Sequence, residues 1–240
     1  MGTEEGERGV SVMSRRERLR AETVREIKTI ALRQMADEGP GAISLRGIAR
    51  EMGMTPRAIY SYFPTRDDLV TELIGGIAAS LAAAVETACD AVPDTDPGGR
   101  LVAWGEALRE WALANPESFR LFYGNPIPGY RPPEGGPVDQ TARRVCRELT
   151  RLVAAAWPHA RRHQPEDASW ADLHPDYVAK IRADLPDVPP AAAALALRVW
   201  GRMHGLVALE VDGHIRPVAG NPAALYRAEM LDLVRSLGLS

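Results

Sequence analysis

Arg57, Tyr60 and Ser61 stand at i, i+3 and i+4, directly after a Thr55-Pro56 pair. On a helix this spacing puts a guanidinium, a phenol and a hydroxyl on one face. A guanidinium can donate two parallel N–H bonds to the edge of a guanine, and hydroxyls of this kind meet phosphate oxygens. Such a face can read nucleic acid if a short, rigid element holds it outward. Thr55 is placed to cap that element with its hydroxyl, and Pro56 suits the first helical position, where its missing N–H costs nothing. Pro64 disfavours helical geometry at Phe63 and sets the far end. Ile59 and Phe63, four apart, then face the other way and can seat the helix on a neighbour.

The neighbour is supplied by the preceding residues. Leu45, Ile48, Ala49 and Met52 recur at i, i+3, i+4 and i+7, the stripe of an amphipathic helix. Ser44 is its candidate cap. Gly53 ends it, because glycine accepts the positive φ of a sharp bend. Two short helices joined this way fit a DNA-reading helix-turn-helix, whose second helix is narrow enough for the major groove. An αα-hairpin inside a helical core has the same spacing.

The run QMADEGPGAISLRGIAREMGMTPRAIYSYFPTRDDL, residues 34–69, resembles the N-terminal domain of the TetR/AcrR family of bacterial repressors. The likeness is carried by the G…IA…G pattern, the threonine at the helix cap, IYSYF and the RDDL that opens the next helix. It implies that Pro56 opens the recognition helix and that Thr55, Arg57 and Ala58 approach base edges. It places Tyr60 and Tyr62 at the sugar-phosphate backbone, although Tyr62 could instead be structural. Ser44 and Arg66 fall where helix starts meet phosphate, helped by backbone N–H groups. Lysine is commoner in the family at the position of Arg66, so the charge is kept and the side chain is not.

These residues need a scaffold, and the rest of the chain reads as helical. Apolar segments keep a helical period and are separated by Pro and Gly. Strand-like alternation does not persist. The expectation is an all-α protein, with a three-helix helix-turn-helix domain followed by a helical ligand-binding and dimerisation domain. The boundaries are a disordered arm over 1–14, the DNA-binding domain over 15–66 and the regulatory domain over 67–240. A first helix runs from about Arg16 to Glu38 on Val24, Ile27, Ala31 and Met35. Arg15, Arg16, Arg18 and Arg20 crowd its start; they are either a solvated face or an arm touching phosphate or the minor groove. Thr65 and Asp68 have capping-box spacing before a long helix that contains Gly75-Gly76.

Net charge is -3 over 240 residues. Between Ser14 and Leu73 there are 11 Lys/Arg against 9 Asp/Glu. Affinity for DNA must therefore depend on where charges sit rather than on their sum. Cys89 and Cys146 are isolated, which suggests buried thiols in a reducing compartment rather than a disulfide. There is no secretory signal, and the longest uncharged run, Leu73 to Val85, is too short to span a bilayer. A cytoplasmic protein that contacts no membrane is expected. Gly-rich phosphate loops, metal-ligand clusters and nucleophile elbows are missing from the sequence, so neither catalysis nor a cofactor is expected. His159 and His163 have helical metal-binding spacing, but Pro158 and the lack of further ligands favour a surface loop.

Farther on, Leu101, Trp104, Leu108 and Trp111 form one helical face. Asn115-Pro116 opens a short helix with Phe119, Leu121 and Tyr123, ended by Gly124. A loop over 125–137 holds five prolines and three glycines. The next helix is expected from Val138 to Ala156, closed by Pro158, and a short one spans Asp176 to Asp184. The helix from Ala191 to Val211 is apolar on two rows, one through Leu195, Val199 and Met203, the other through Leu197, Trp200, His204 and Val207. Such a helix is buried on more than one side. We read one row as core and the other as subunit contact, with Gly201 and Gly205 admitting a close neighbour. The last helix, capped by Asn221-Pro222, shows Leu225, Leu231, Val234 and Leu237. The homodimer would form through 191–211 and 222–237.

WGRMHGLVALEVDGH, Trp200 to His214, resembles the WHG type of TetR-family C-terminal domain, and NPESFRLFYG resembles the segment that precedes it there. That likeness implies a dimerising domain that senses a small molecule. Trp104, Trp111, Phe119, Tyr123, Trp157, Trp200, Met203 and His204 are the candidate ligand residues, each of which could equally be plain core. The reading that results is a dimeric repressor released from a palindromic operator by a small molecule. The alternative is a ligand-independent or activating dimer whose C-terminal domain only dimerises.

Overall fold

The computed structural model describes residues 14–124, 126–133, 136–164 and 168–239. The arm expected over 1–14 lies outside them except for Ser14, as does part of the 125–137 loop. The described residues are all-α. They divide into two compact units, Met1–Leu69 and Val70–Ser240.

In the first unit α1 spans Arg15–Glu38 and starts in a capping box. The Ser14 hydroxyl accepts from the Glu17 N–H at 3.2 Å, and the Ser14 N–H donates to the Glu17 carboxylate at 2.7 Å. Two orphan donors of the first turn are thereby satisfied. Gly39 ends the helix at φ 91° and donates its N–H to the Met35 carbonyl. A 3₁₀ turn, Pro40–Ala42, leads to α2, Leu45–Glu51, and α3, Pro56–Tyr60. Ile27, Ile48, Ala49 and Ile59 are fully buried and Phe63 nearly so. Each large apolar side chain among them contributes about 1.5–3 kcal/mol to holding the three helices together. α3 stops at Tyr60, earlier than Pro64 alone requires, because Ser61 and Tyr62 already turn back to the Ala58 and Ile59 carbonyls.

α4, Arg66–Asp90, begins in the first unit and continues into the second without a break at Gly75-Gly76. By length and composition it could cross a membrane. Its apolar residues Val70, Leu73, Ala78, Leu81, Ala82 and Val85 are instead buried in the protein. The second unit adds α5 (Pro97–Ala114), α6 (Pro116–Tyr123), α7 (Pro137–Ala160), α8 (Pro175–Asp184), α9 (Pro190–Val211) and α10 (Pro222–Ser236). Each of these opens on a proline at its first position, where the missing N–H costs nothing. α5 is the hub and packs on α6, α7, α9 and α10. Trp104, Leu101 and Leu108, the face expected from their spacing, are fully buried there.

Four expectations are corrected. Pro158 does not close α7, which runs on to Ala160. The ring forfeits one N–H bond, but the added turn buries Ala160 completely, and that burial favours continuing. His159 and His163 accordingly lie in a helical turn and a 3₁₀ turn rather than an irregular loop. Cys146 is exposed, whereas Cys89 is buried and its thiol is pushed up to about 11 by desolvation. In α10 the buried face is Tyr226, Met230, Leu233 and Val234, with Leu237 after it, and Leu225 and Leu231 point to solvent.

Glycine decides how α10 seats on α5. A Cβ on Gly105 would stand 2.6 Å from the Met230 sulfur and 3.2 Å from the Tyr226 hydroxyl. Tyr226 donates that hydroxyl to the Gly105 carbonyl at 3.0 Å, and Met230 is fully buried, so neither can retreat freely. Gly105→Ala is expected to destabilise the second unit by about 1–3 kcal/mol through overpacking. A lowered denaturant midpoint in circular dichroism would show it; an unchanged midpoint would mean α10 has room to shift.

Candidate nucleic-acid interface and aromatic cluster

The caps anticipated for α2 and α3 are both present. The Ser44 hydroxyl accepts from the Gly47 N–H at 3.3 Å, and the Thr55 hydroxyl accepts from the Ala58 N–H at 3.3 Å. Each cap spends an acceptor and keeps its O–H donor for a further partner. Gly53, at φ 65°, makes the bend between the helices. The Ser44 N–H donates to the Gln34 side chain at 3.3 Å, which fixes the start of α2 to α1. Glu51 is paired with Arg33. Its negative charge is thereby offset at the end of α2.

Ile59 and Phe63 point inward, and this turns the rest of α3 outward. Thr55, Pro56, Arg57 and Tyr60 are exposed, with Ala58 and Tyr62 half-buried. Arg57 pairs with no carboxylate among the described residues, so its donors face solvent. Arg66 is half-buried; its Nε donates to the Ile43 carbonyl at 3.2 Å, and its head lies 3.7 Å from Asp67. The capping box at Thr65 and Asp68 forms in both directions, at 3.0 Å each way. Ser44, Thr55, Pro56, Arg57, Ala58, Tyr60, Tyr62 and Arg66 thus all lie in the α2–α3 segment or at the start of α4.

Sequence reasoning left the start of α1 undecided. Arg20 donates to the Ser61 carbonyl at 3.2 Å, and its guanidinium lies 4.8 Å from the centre of the Tyr62 ring. The crowding of arginines was visible in the sequence; the partner, 41 residues away, was not.

The eight candidate ligand residues are not all brought together. Phe119 and Tyr123 on α6 and Trp200 and His204 on α9 form one cluster. Phe119 stacks on His204 at 5.2 Å, Tyr123 meets His204 edge-on at 4.8 Å, and Trp200 lies 5.2 Å from the same ring. Burial lowers the pKa of His204 from its usual value and raises that of the Tyr123 phenol, so both are neutral at neutral pH. The His204 Nε2 is buried without a hydrogen-bond partner among the described residues. Met203 and Trp104 are fully buried. Trp111 is tied to α4 through its indole N–H, which donates to the Ser80 hydroxyl at 3.0 Å. Trp157 belongs elsewhere, packed with Ile181, Val188, Ala192 and Ala193 where α8 and the start of α9 meet. The family resemblance makes Trp157 a candidate; its packing sets it apart from this aromatic cluster.

Comparison with known proteins matches both halves of the chain. Residues 29–73 match the family described as bacterial regulatory proteins, tetR family. Residues 101–233 match the tetracyclin repressor-like C-terminal domain. The HTH-type transcriptional regulator Mb1846 of Mycobacterium bovis is 30% identical over 218 residues, 88% of this chain and 91% of that protein. The regulator Rv1816 of Mycobacterium tuberculosis is similar to the same extent and over the same shares. Among solved structures, the regulatory protein SCO4313 is 32% identical, covers 92% of this chain and 100% of its own, and superposes with a TM-score of 0.71.

Proposed function

We propose that this chain, which belongs to the TetR family of bacterial regulatory proteins, is a homodimeric repressor that leaves a palindromic operator when a small molecule binds its second unit. DNA-binding transcriptional regulation is the common ground of the family and the curated relatives, which are regulators rather than enzymes. The finer reading rests on α3. Its capped start, its buried Ile59 and its outward Arg57 and Tyr60 are what a base-reading helix requires. Arg57 with Thr55 and Ala58 would meet base edges. Tyr60, Tyr62, Ser44 and Arg66 would meet the backbone.

Dimerisation is supported by apolar surface left open on α9 and α10. Leu197, Trp200, Leu209, Leu225 and Leu231 are each about two-fifths exposed, and nothing approaches a Cβ built on Gly201 or Gly205. A monomer gains nothing from such a face, and a second copy would cover it. The Phe119, Tyr123, Trp200 and His204 cluster is the proposed ligand contact, backed by Met203. A ligand there would change the spacing of two recognition helices through α4, with a coupling of about 1–3 kcal/mol. Such a regulator would act in the cytoplasm.

The test uses the full chain and duplexes it selects from a random pool. Sedimentation at micromolar concentration should give a dimer, and the selected duplexes should carry two inverted half-sites. A monomer or a single unpaired half-site would sink the dimer reading. A metabolite library scored on release from the selected duplex then separates the ligand-responsive repressor from a ligand-independent one.

A further inference from the structure

The matched DNA-binding stretch begins at residue 29, so nearly the first four turns of α1, from Arg15, lie outside it. Those turns are not idle surface. With the end of α3 they enclose a groove of about 660 Å³ whose walls include Arg15, Arg16 and Arg20 on one side and Ser61 and Tyr62 on the other. Among the described residues, no carboxylate lines it. Glu17, the acidic residue of the same turn, is held in the Ser14 capping box. Arg15 and Arg16 are exposed and pair with no carboxylate among the described residues.

We infer that this groove is a second DNA contact, in which Arg15 and Arg16 grip the phosphodiester backbone beside the half-site and Arg20 positions the end of the recognition helix. The inference rests on the reading of α3 as the base-contacting helix. Geometry favours an extended polyanion. The span from Arg15 to Arg20 is five residues, a rise of about 7.5 Å, so the three guanidiniums form a short rod of charge rather than a point. The groove also continues the reading face, since Ser61 follows Arg57 by one helical turn, about 6 Å. Arg20 has a different task from its neighbours. Its donation to the Ser61 carbonyl and its stacking on Tyr62 tie the end of α3 to α1. The remaining N–H groups of its fork can still face phosphate. The Ser61 hydroxyl is spent on the Ala58 carbonyl at 2.7 Å, so the arginines are the donors left to grip an anion.

The experiment measures binding of the full chain to its pool-selected duplex and to a scrambled duplex of equal length, by fluorescence anisotropy across a potassium chloride series. Removing one bound phosphate from the interface flattens the log–log salt slope by about 0.9. Arg15→Gln with Arg16→Gln should therefore flatten it by about 2 per protomer, on both duplexes alike, while Arg15→Lys with Arg16→Lys keeps the wild-type slope. Arg20→Lys keeps the charge but not the planar stack, and should hold the slope while lowering the preference for the selected duplex. Wild-type slope and affinity in the double glutamine variant would overturn the groove. Arg57→Ala, measured alongside, separates the two failures: if it loses discrimination the α3 reading stands without the groove, and if it binds as wild type that reading falls by itself.

Discussion

Arg57→Ala is expected to weaken binding to a selected duplex roughly ten- to hundred-fold while leaving affinity for a scrambled duplex within about a factor of three. The reason is the division of labour between phosphate and base contacts. A bidentate arginine–guanine pair is worth about 1–3 kcal/mol of discrimination, and about 1.4 kcal/mol is a factor of ten. Phosphate contacts supply the sequence-independent part, and Arg57 is not needed for those. The substitution should fold normally, because Arg57 is exposed and makes no ion pair among the described residues. Alanine also suits the helix at least as well as arginine. Specificity should relax chiefly at one base position of each half-site, which repeating the selection with the variant would reveal. Equal loss on both duplexes would instead make Arg57 a phosphate contact.

The second large effect is on stability. Arg109 on α5 makes a bidentate bond to Glu210 on α9, Nε to Oε2 at 2.7 Å and an Nη to Oε1 at 2.6 Å. The side chains are 16% and 9% exposed, so the pair is nearly out of water. The bond to Glu210 holds the Arg109 guanidinium above its usual pKa against the opposing effect of burial. Arg109→Ala strands a carboxylate in that setting and should cost about 3 kcal/mol, the lower end for a broken buried pair because a little solvent remains. Arg109→Met together with Glu210→Met removes both charges and should fall within about 1 kcal/mol of wild type. Chemical denaturation of the three proteins decides it. If the double variant is as unstable as the single one, the pair contributes geometry that apolar packing cannot replace. Because α9 also carries the exposed Trp200 and Leu197, the single variant should weaken dimerisation as well.

Much of the candidate site was legible because its determinants are local. Ser44, Thr55 with Pro56, Gly53 and Pro64 act on backbone groups within a few residues of themselves, through caps, a fixed φ and a tolerated positive φ. The inward pair Ile59 and Phe63 follows from helical period, and once those two are buried Arg57 and Tyr60 can only face out. The same logic put Trp104 and Leu108 correctly in the core of the second unit.

Period fails where a helix has more than one apolar face. In α10 leucines suggested the stripe through Leu225 and Leu231, but the notches at Gly98 and Gly105 of α5 admit the face bearing Tyr226, Met230 and Val234. A glycine reads as a weak helix former until the helix that fills its notch is known. Pro158 reads as a stop because its cost is local, while the burial of Ala160 that outweighs it is not.

What the sequence determined alone is therefore where most of the helices lie, the side-chain caps at Ser44 and Thr55, and that Arg57 and Tyr60 share the face of α3 opposite Ile59, all fixed by interactions spanning one or two turns. What only the tertiary structure decided are the pairings between distant residues. Arg20 finds Ser61 and Tyr62 across 41 residues, Arg109 finds Glu210 across 101, and His204 gathers Phe119 and Tyr123 from another helix. Each depends on how helices cross, and crossing is set by side-chain volume and packing density, which no period in one dimension records.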